Sequence, residues 1–358
     1  MKSRHAFLRS LTIGLSFICL LLFTALLHMV QYSSTQLQRE RAAANSLQHD
    51  ATQHHRQPMR IQEISQQVVI DQDELAEEAH SSDWGQACPR WFQLGLAYKR
   101  CLLEQLSPAW AHYGLLRVRP PSLSLWEHLH LAMERCGGTL IKRLLQAKYL
   151  LNSDDIKLLV LPRNDSATEC VCVTLGIGND TAAERRLKAY LPLTRFFGAD
   201  PIPSSGRAFE ELGEYFAVAV SADGERHNSS VFVNGDYSWQ TLRTISLRDL
   251  LLKHMQVKQV DFLLMDVEGA EYHLLPLLMD GGQLEKDGVV VCQINVELHG
   301  PLERYGSNAA DFSRVWKQFL VSSSFIPIWG HHPIKHQPLF LINWKHPFCV
   351  DKFLSYWC

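Results

Sequence analysis

Residues 260–271, Val-Asp-Phe-Leu-Leu-Met-Asp-Val-Glu-Gly-Ala-Glu, constrain this chain more than any other stretch. Phe262 to Met265 is an unbroken apolar run, which reads as a strand buried on both faces, the pattern of a parallel sheet. Three carboxylates follow within six residues: Asp266, Glu268 and Glu271. Gly269 lies among them, and a helical segment, Tyr272 to Met279, comes next. The strand thus ends where the acids begin, and in open α/β sheets ligands sit just outside the carboxyl ends of the strands. That placement points Asp266 and Glu268 at a ligand. Glu271 has a second reading, as a first-turn acid stabilised by the helix dipole.

From residue 170 onward, strand and helix patterns alternate, which predicts a doubly wound sheet. Cys170 to Leu175 reads as the first strand, followed by Gly176-Ile-Gly178-Asn-Asp180 and a helical Ala182 to Tyr190. A strand, a glycine-rich turn and a helix let backbone N–H groups approach a ligand closely. Thr181 stands where the third glycine of the dinucleotide fingerprint belongs, which argues against NAD. Thr194 to Pro201 reads as the second strand, ending in Asp200, 22 residues after Gly178. An acid at about 20 residues is placed to accept hydrogen bonds from ribose hydroxyls. The rival reading of Asp200 is an Asp-Pro turn starter.

Tyr215 to Val220 reads as the third strand, with Asp223-Gly224 in its exit turn. Ser230–Val233 and Tyr237–Leu242 around Asn234-Gly235 predict a β-hairpin, and Ser246 to Met255 a capped helix. Gly288 to Leu298 is the fifth strand. Glu297 and His299 share one side of it by period 2, as general base or as an orienting hydrogen-bond pair. Ala309 to Ser322 reads as a helix. Phe325–Trp329 and Pro338–Trp344 read as strands that close the sheet antiparallel, with His331, His332 and His336 in the loop between them, a solvated loop or, as the alternative, metal ligands.

These motifs, in this order, resemble a known family. Asp261 to Glu271 is similar to the D-x-L-K-I-D-x-E-G-A-E signature of FkbM-type methyltransferases. Thr244-Ile-Ser-Leu-Arg-Asp-Leu-Leu resembles the helix before it, and Asn295-Val-Glu-Leu-His the strand end after it. Leu264 departs from the usual Lys, and Arg248 from the usual Asp. With Thr174-Leu-Gly-Ile-Gly and Gly198-Ala-Asp-Pro, the chain resembles the membrane-anchored branch found in nematodes. The resemblance covers roughly the last 190 residues. It implies a class I methyltransferase fold, Rossmann-like and mostly parallel with an antiparallel C-terminal strand, that binds S-adenosylmethionine (SAM). It assigns Gly176, Gly178, Asp200 and Asp266 to the cofactor, with Asp223 near the adenine. Many SAM sites carry an acid just before the glycine loop, where this chain has Thr174.

The rest of the chain sets the expected context. Leu11 to Val30 is almost wholly apolar and uncharged, and about 20 residues span a bilayer. Lys2, Arg4 and Arg9 precede it, so the positive-inside rule leaves residues 1–10 in the cytosol. The expectation is an uncleaved single-pass type II anchor over 11–30, the alternative a cleaved signal peptide. Residues 31–83 are polar and read as a mostly disordered stem; 84–163 as a helical accessory segment rich in Cys and Trp, with Trp126 to Leu150 mostly helical and broken at Gly137-Gly138; 164–358 as the methyltransferase domain. Eight cysteines follow the anchor, which fits disulfides in an oxidising compartment. Sequons begin at Asn164, Asn179 and Asn228, with Asn179 expected to stay unmodified inside the cofactor loop. A net charge of −2 and the lack of a basic stripe interleaved with aromatics give no footprint for nucleic acid.

The expected activity is therefore SAM-dependent O-methylation of a glycan or other hydroxyl acceptor in the Golgi or ER lumen. His299 is the first candidate base, with Asp266 or Glu268 next. A divalent ion on Asp266, Glu268 and Glu297 is compatible with the preference of hard cations for carboxylates. The alternatives are a type II Golgi glycosyltransferase, whose Asp-x-Asp motif is not found in the expected context, and a non-catalytic lumenal binding protein.

Overall fold

A computed structural model of the chain describes residues 88–111, 121–153, 155–163, 167–225, 227–233, 236–300, 309–331, 336–355 and 358. The predicted anchor over 11–30, the stem over 31–83 and the sequon at Asn164 lie outside them. Among the described residues, no helix is long and apolar enough to cross a membrane.

The chain opens on three helices, α1 (Pro89–Ala111), α2 (Pro121–Arg135) and α3 (Gly138–Leu144). Gly137 separates the last two at φ 91°, a conformation that favours glycine. The expected helix through Leu150 stops early. Lys148–Leu151 and Ile156–Leu159 form an antiparallel hairpin, β1 and β2. The reason is tertiary. Two amide side chains of β11 (Val290–His299) receive β2 as a neighbouring strand would. Asn295 accepts from Leu158 N at 2.7 Å and donates to Leu158 O at 2.7 Å. Gln293 does the same to Val160 N and O at 2.8 and 2.9 Å.

The central sheet uses β3 (Cys170–Leu175), β4 (Thr194–Ala199), β5 (Glu214–Phe216), β10 (Gln259–Met265), β11, β12 (Phe325–Gly330) and β13 (His336–Asn343). Its order is β12-β13-β11-β10-β3-β4-β5, with β13 alone running against the rest. This is a class I methyltransferase-like α/β fold with a mixed sheet. β10 lies between β3 and β11, which pair both its edges, and every residue from Val260 to Met265 is buried, so both its faces are covered as well. That is why its sequence is apolar without alternation. Asp261 is the exception within it. It accepts from Val171 N at 2.8 Å and pairs with Lys352 at 2.7 Å, so the first acid of the 261–271 signature fastens the start of β3 to the C-terminal segment.

The predicted third strand divides in two. Val218 N donates to Phe216 O at 2.9 Å, a tight turn that ends β5. β6 (Ala219–Ser221) then pairs with β9 (Thr244–Ser246) outside the main sheet. β7 (His227–Val233) and β8 (Asp236–Leu242) form the expected hairpin. The capped helix begins as expected, with Ser246 Oγ accepting from Asp249 N at 3.1 Å, and passes from α-helical (Leu247–Asp249) to π-helical (Leu250–His254).

The helices close the β12–β13 end of the sheet. Trp91 Nε1 donates to Trp344 O at 3.1 Å and Tyr98 Oη to Pro327 O at 2.7 Å. Three disulfides, Cys88–Cys358, Cys101–Cys136 and Cys292–Cys349, tie this assembly together, while Cys170 and Cys172 are buried free thiols.

Candidate active site

The site forms where β3, β4, β10 and β11 end. Asp266 N donates to Leu175 O at 2.8 Å and Gly176 N to Ala199 O at 2.9 Å, which stitches three strand ends together. Gly176 sits at φ 79°, and a Cβ there would lie 1.7 Å from the carbonyl oxygen of Asp266. Only glycine lets the loop cross so close to the acidic strand end. Gly178, at φ 61°, has open space where its Cβ would stand. The loop therefore presents an uncovered backbone, which fits a cofactor that approaches closely.

Asp200 lies beneath that loop and is buried. Its Oδ2 accepts from Ile177 N at 2.9 Å and Gly178 N at 3.1 Å, and its Oδ1 from Ile202 N at 2.8 Å. A carboxylate has about four acceptor positions. Asp200 thus shapes the loop, with one acceptor position left over. Asp223 is engaged in the turn after β6, accepting from Ser221 Oγ at 3.3 Å and Glu225 N at 2.9 Å. Thr174 is buried and donates to Glu184 Oε1 at 2.8 Å. Glu184 belongs to the following helix, α4 (Ala182–Tyr190), and is itself buried.

The acids of the 266–271 turn converge on His299. Its Nε2 is 2.9 Å from Glu268 Oε2 and 3.9 Å from Asp266 Oδ1, and its Nδ1 is 3.0 Å from Glu271 Oε1. Glu268 reaches it from a left-handed backbone, φ 55°, a conformation that costs a non-glycine residue about 1–2 kcal/mol. Glu271 is fully buried and also accepts from Val267 N at 3.0 Å. Glu271 thus sits in the first turn of its helix, closes the turn before it and holds the imidazole. The backbone carbonyl of His299 accepts from Tyr272 Oη.

Charge decides what these groups can do. Burial opposes a positive His299, but Glu271, Glu268 and Asp266 outweigh it and raise its pKa to about 12. An imidazole held protonated orients and balances charge; it does not take up a proton at neutral pH. Proton uptake at neutral pH therefore suits its neighbours better than His299. Asp266 is pushed up to about 7, by burial first and then by Glu268 against the opposing pull of His299. Its side chain keeps 39% of its surface open, yet Oδ1 is buried without a hydrogen-bond partner. Glu297 is raised to about 9, by burial and then by the charges of Asp266 and Asp155.

Two further elements enter the site. Lys157 on β2 is buried and ion-paired to Asp155; burial works to lower its pKa and Asp155 more than reverses it. A lone Lys within the apolar run 156–161 was the sequence signal for it. His336, expected in a solvated loop, instead begins β13 directly opposite His299, with their rings 4.6 Å apart. His331 is exposed, and His332 lies outside the described residues. The proposed metal trio of Asp266, Glu268 and Glu297 is regrouped. The donor atoms that converge belong to Glu297, His299 and His336, and to Asp266, Glu271 and His299. Glu268 is instead turned onto His299.

No curated protein matches the chain. Among solved structures, M. capricolum TrmK with S-adenosyl-homocysteine is similar at 11% identity and a TM-score of 0.27, over 50% of this chain and 64% of that one. The human methyltransferase 10 domain containing protein is similar at 10% identity and a TM-score of 0.29, over 70% and 97%. The plantazolicin methyltransferase BpumL is similar at 11% identity and a TM-score of 0.25, over 70% and 98%. Residues 146–322, which carry the glycine loop and every carboxylate named above, match the family of the methyltransferase FkbM domain, and so align this chain with SAM-dependent methyltransferases.

Proposed function

We propose that the chain transfers a methyl group from SAM to a hydroxyl of a glycan or a secreted acceptor, in the lumen of the Golgi or ER. The observation that carries this reading is the single strand-end cleft in which the Gly176–Gly178 loop, Asp266 and the His299 cluster meet. SAM, when bound, supplies an electrophilic methyl on a sulfonium. The loop backbone and the remaining position on Asp200 hold it against the sheet. Much of the rate comes from alignment of the acceptor at near-attack distance. Asp266 would take up the proton that the acceptor hydroxyl gives up. A carboxyl raised to about 7 is matched to that task near neutral pH. His299, clamped by Glu268 and Glu271, steadies the negative charge on Asp266.

Three disulfides support an oxidising compartment, and Leu11–Val30 serves as the anchor in this reading. Calorimetric titration of the full-length, oxidised chain with SAM tests it. Micromolar binding that is lost in Asp200→Ala supports it. A folded chain that takes no SAM, with or without candidate glycans, sinks it. Protease protection in sealed vesicles tests the topology, and cleavage of the C-terminal domain from the cytosolic side would place the enzyme elsewhere.

A further inference from the structure

β11 and β13 run antiparallel, and His299 stands directly opposite His336. Glu297 lies two residues before His299, so all three side chains leave the same face of the ladder. Their donor atoms lie within 4.8 Å of one another. Glu297 Oε1 and His336 Nδ1 are 3.6 Å apart, too far for a hydrogen bond. Bonds of about 2.0–2.2 Å to one ion bring its neighbouring ligands to a slightly shorter spacing, so a small inward shift would complete it.

Two further observations point to a cation at this place. Glu271 is fully buried and holds His299 Nδ1 at 3.0 Å, while its other oxygen is buried without a hydrogen-bond partner. A carboxylate on the far nitrogen is the arrangement that fixes the tautomer of a metal-binding histidine. The near nitrogen, Nε2, faces Asp266 Oδ1 at 3.9 Å, and that oxygen is buried and also lacks a hydrogen-bond partner. Glu268 Oε2 lies closer to Nε2, at 2.9 Å, and must yield or join as a donor. Lys157, the nearby cation from β2, is already paired to Asp155.

We propose that Glu297, His299 and His336 bind a first-row divalent transition-metal ion, with Asp266 as the adjoining oxygen donor. Two imidazoles and a carboxylate select such an ion over Mg²⁺ or Ca²⁺, which favour all-oxygen sets. On binding, the ion takes the place of the proton on Nε2, which leaves to solvent. The site does not depend on the methyl-transfer reading.

The test is a titration of the full-length chain, stripped with chelator, with Mn²⁺ followed by EPR, and with Zn²⁺ by competition. Saturation at one ion per chain is expected. His336→Ala and Glu297→Gln should each weaken binding at least about tenfold, and Glu271→Gln, which reaches the ion only through His299, by about 10–100-fold. Melting curves confirm folding, and His336→Gln replaces the alanine variant if that fails to fold. His331→Ala, an exposed histidine off the site, should bind as wild type. The proposal is overturned if the folded chain shows no saturable ion, if the His336 and Glu297 variants bind like wild type, or if His331→Ala abolishes binding. SAM titration of the same samples separates failure of this site from failure of the methyltransferase reading.

Discussion

His299 shows how much a residue's chemistry depends on its surroundings. Its position beside Glu297 on one strand made it the first candidate base, but three carboxylates from another segment hold it charged. Removing one partner of a buried ion pair costs about 3–5 kcal/mol. Glu271→Ala should therefore lower stability by that order, because it also strands Val267 N; urea denaturation measures it, and a loss below about 1 kcal/mol would contradict the arrangement. The same cluster predicts a pH dependence for the metal-free chain. Asp266, Glu297 and His299 all bind protons more tightly when folded, so stability falls as pH rises. The His299 contribution is complete below about 6.5 and declines toward about 12, while the two carboxyls lose theirs from about 4 upward, through about 7 and about 9. The urea midpoint should be higher at pH 5 than at pH 8, and Glu297→Gln should narrow the gap. A midpoint unchanged across that range would count against these assignments.

At the scale of elements, the glycine loop and the β1–β2 hairpin are held in different ways. Gly176 is fixed by a backbone collision, so Gly176→Ala should abolish SAM binding and lower the melting temperature. Gly178→Ala meets only the left-handed strain of about 1–2 kcal/mol and should fold with weakened SAM affinity. Equal effects of the two substitutions, read by calorimetry, would show that the loop does not pack on Asp266 as described. The hairpin is attached through amide side chains. Asn295→Ala should let the Leu158 amide exchange its hydrogen much faster while the β10 amides stay protected. β1 was read as the tail of a helix because local pattern does not show which strand will offer Asn295 and Gln293 as a surrogate ladder. By contrast, β10 was legible, since burial on both faces demands continuous apolar sequence.

For the whole molecule, the helices and disulfides bind chain ends to the sheet. Cys88–Cys358 spans 270 residues and joins the start of α1 to the C-terminus. Cys88→Ser with Cys358→Ser should cost about 2–4 kcal/mol and lower the melting temperature, and reduction of the wild-type chain should do the same. No change on reduction would mean that helix packing alone, through Trp91, Tyr98 and Trp344, holds that end. The sequence by itself determined the alternation of strands and helices, the glycine turn, and the three acids at the end of a buried strand. Each of these is written in local periodicity and in the conformational needs of single residues. Only the tertiary structure decided that His336 faces His299, that Lys157 enters the cleft, that Thr174 bonds to Glu184, and that His299 is charged. Those outcomes depend on strand order and register, which bring together residues as far apart in the chain as Lys157 and Glu297. They also depend on burial, which sets the proton affinity of every group in the cleft.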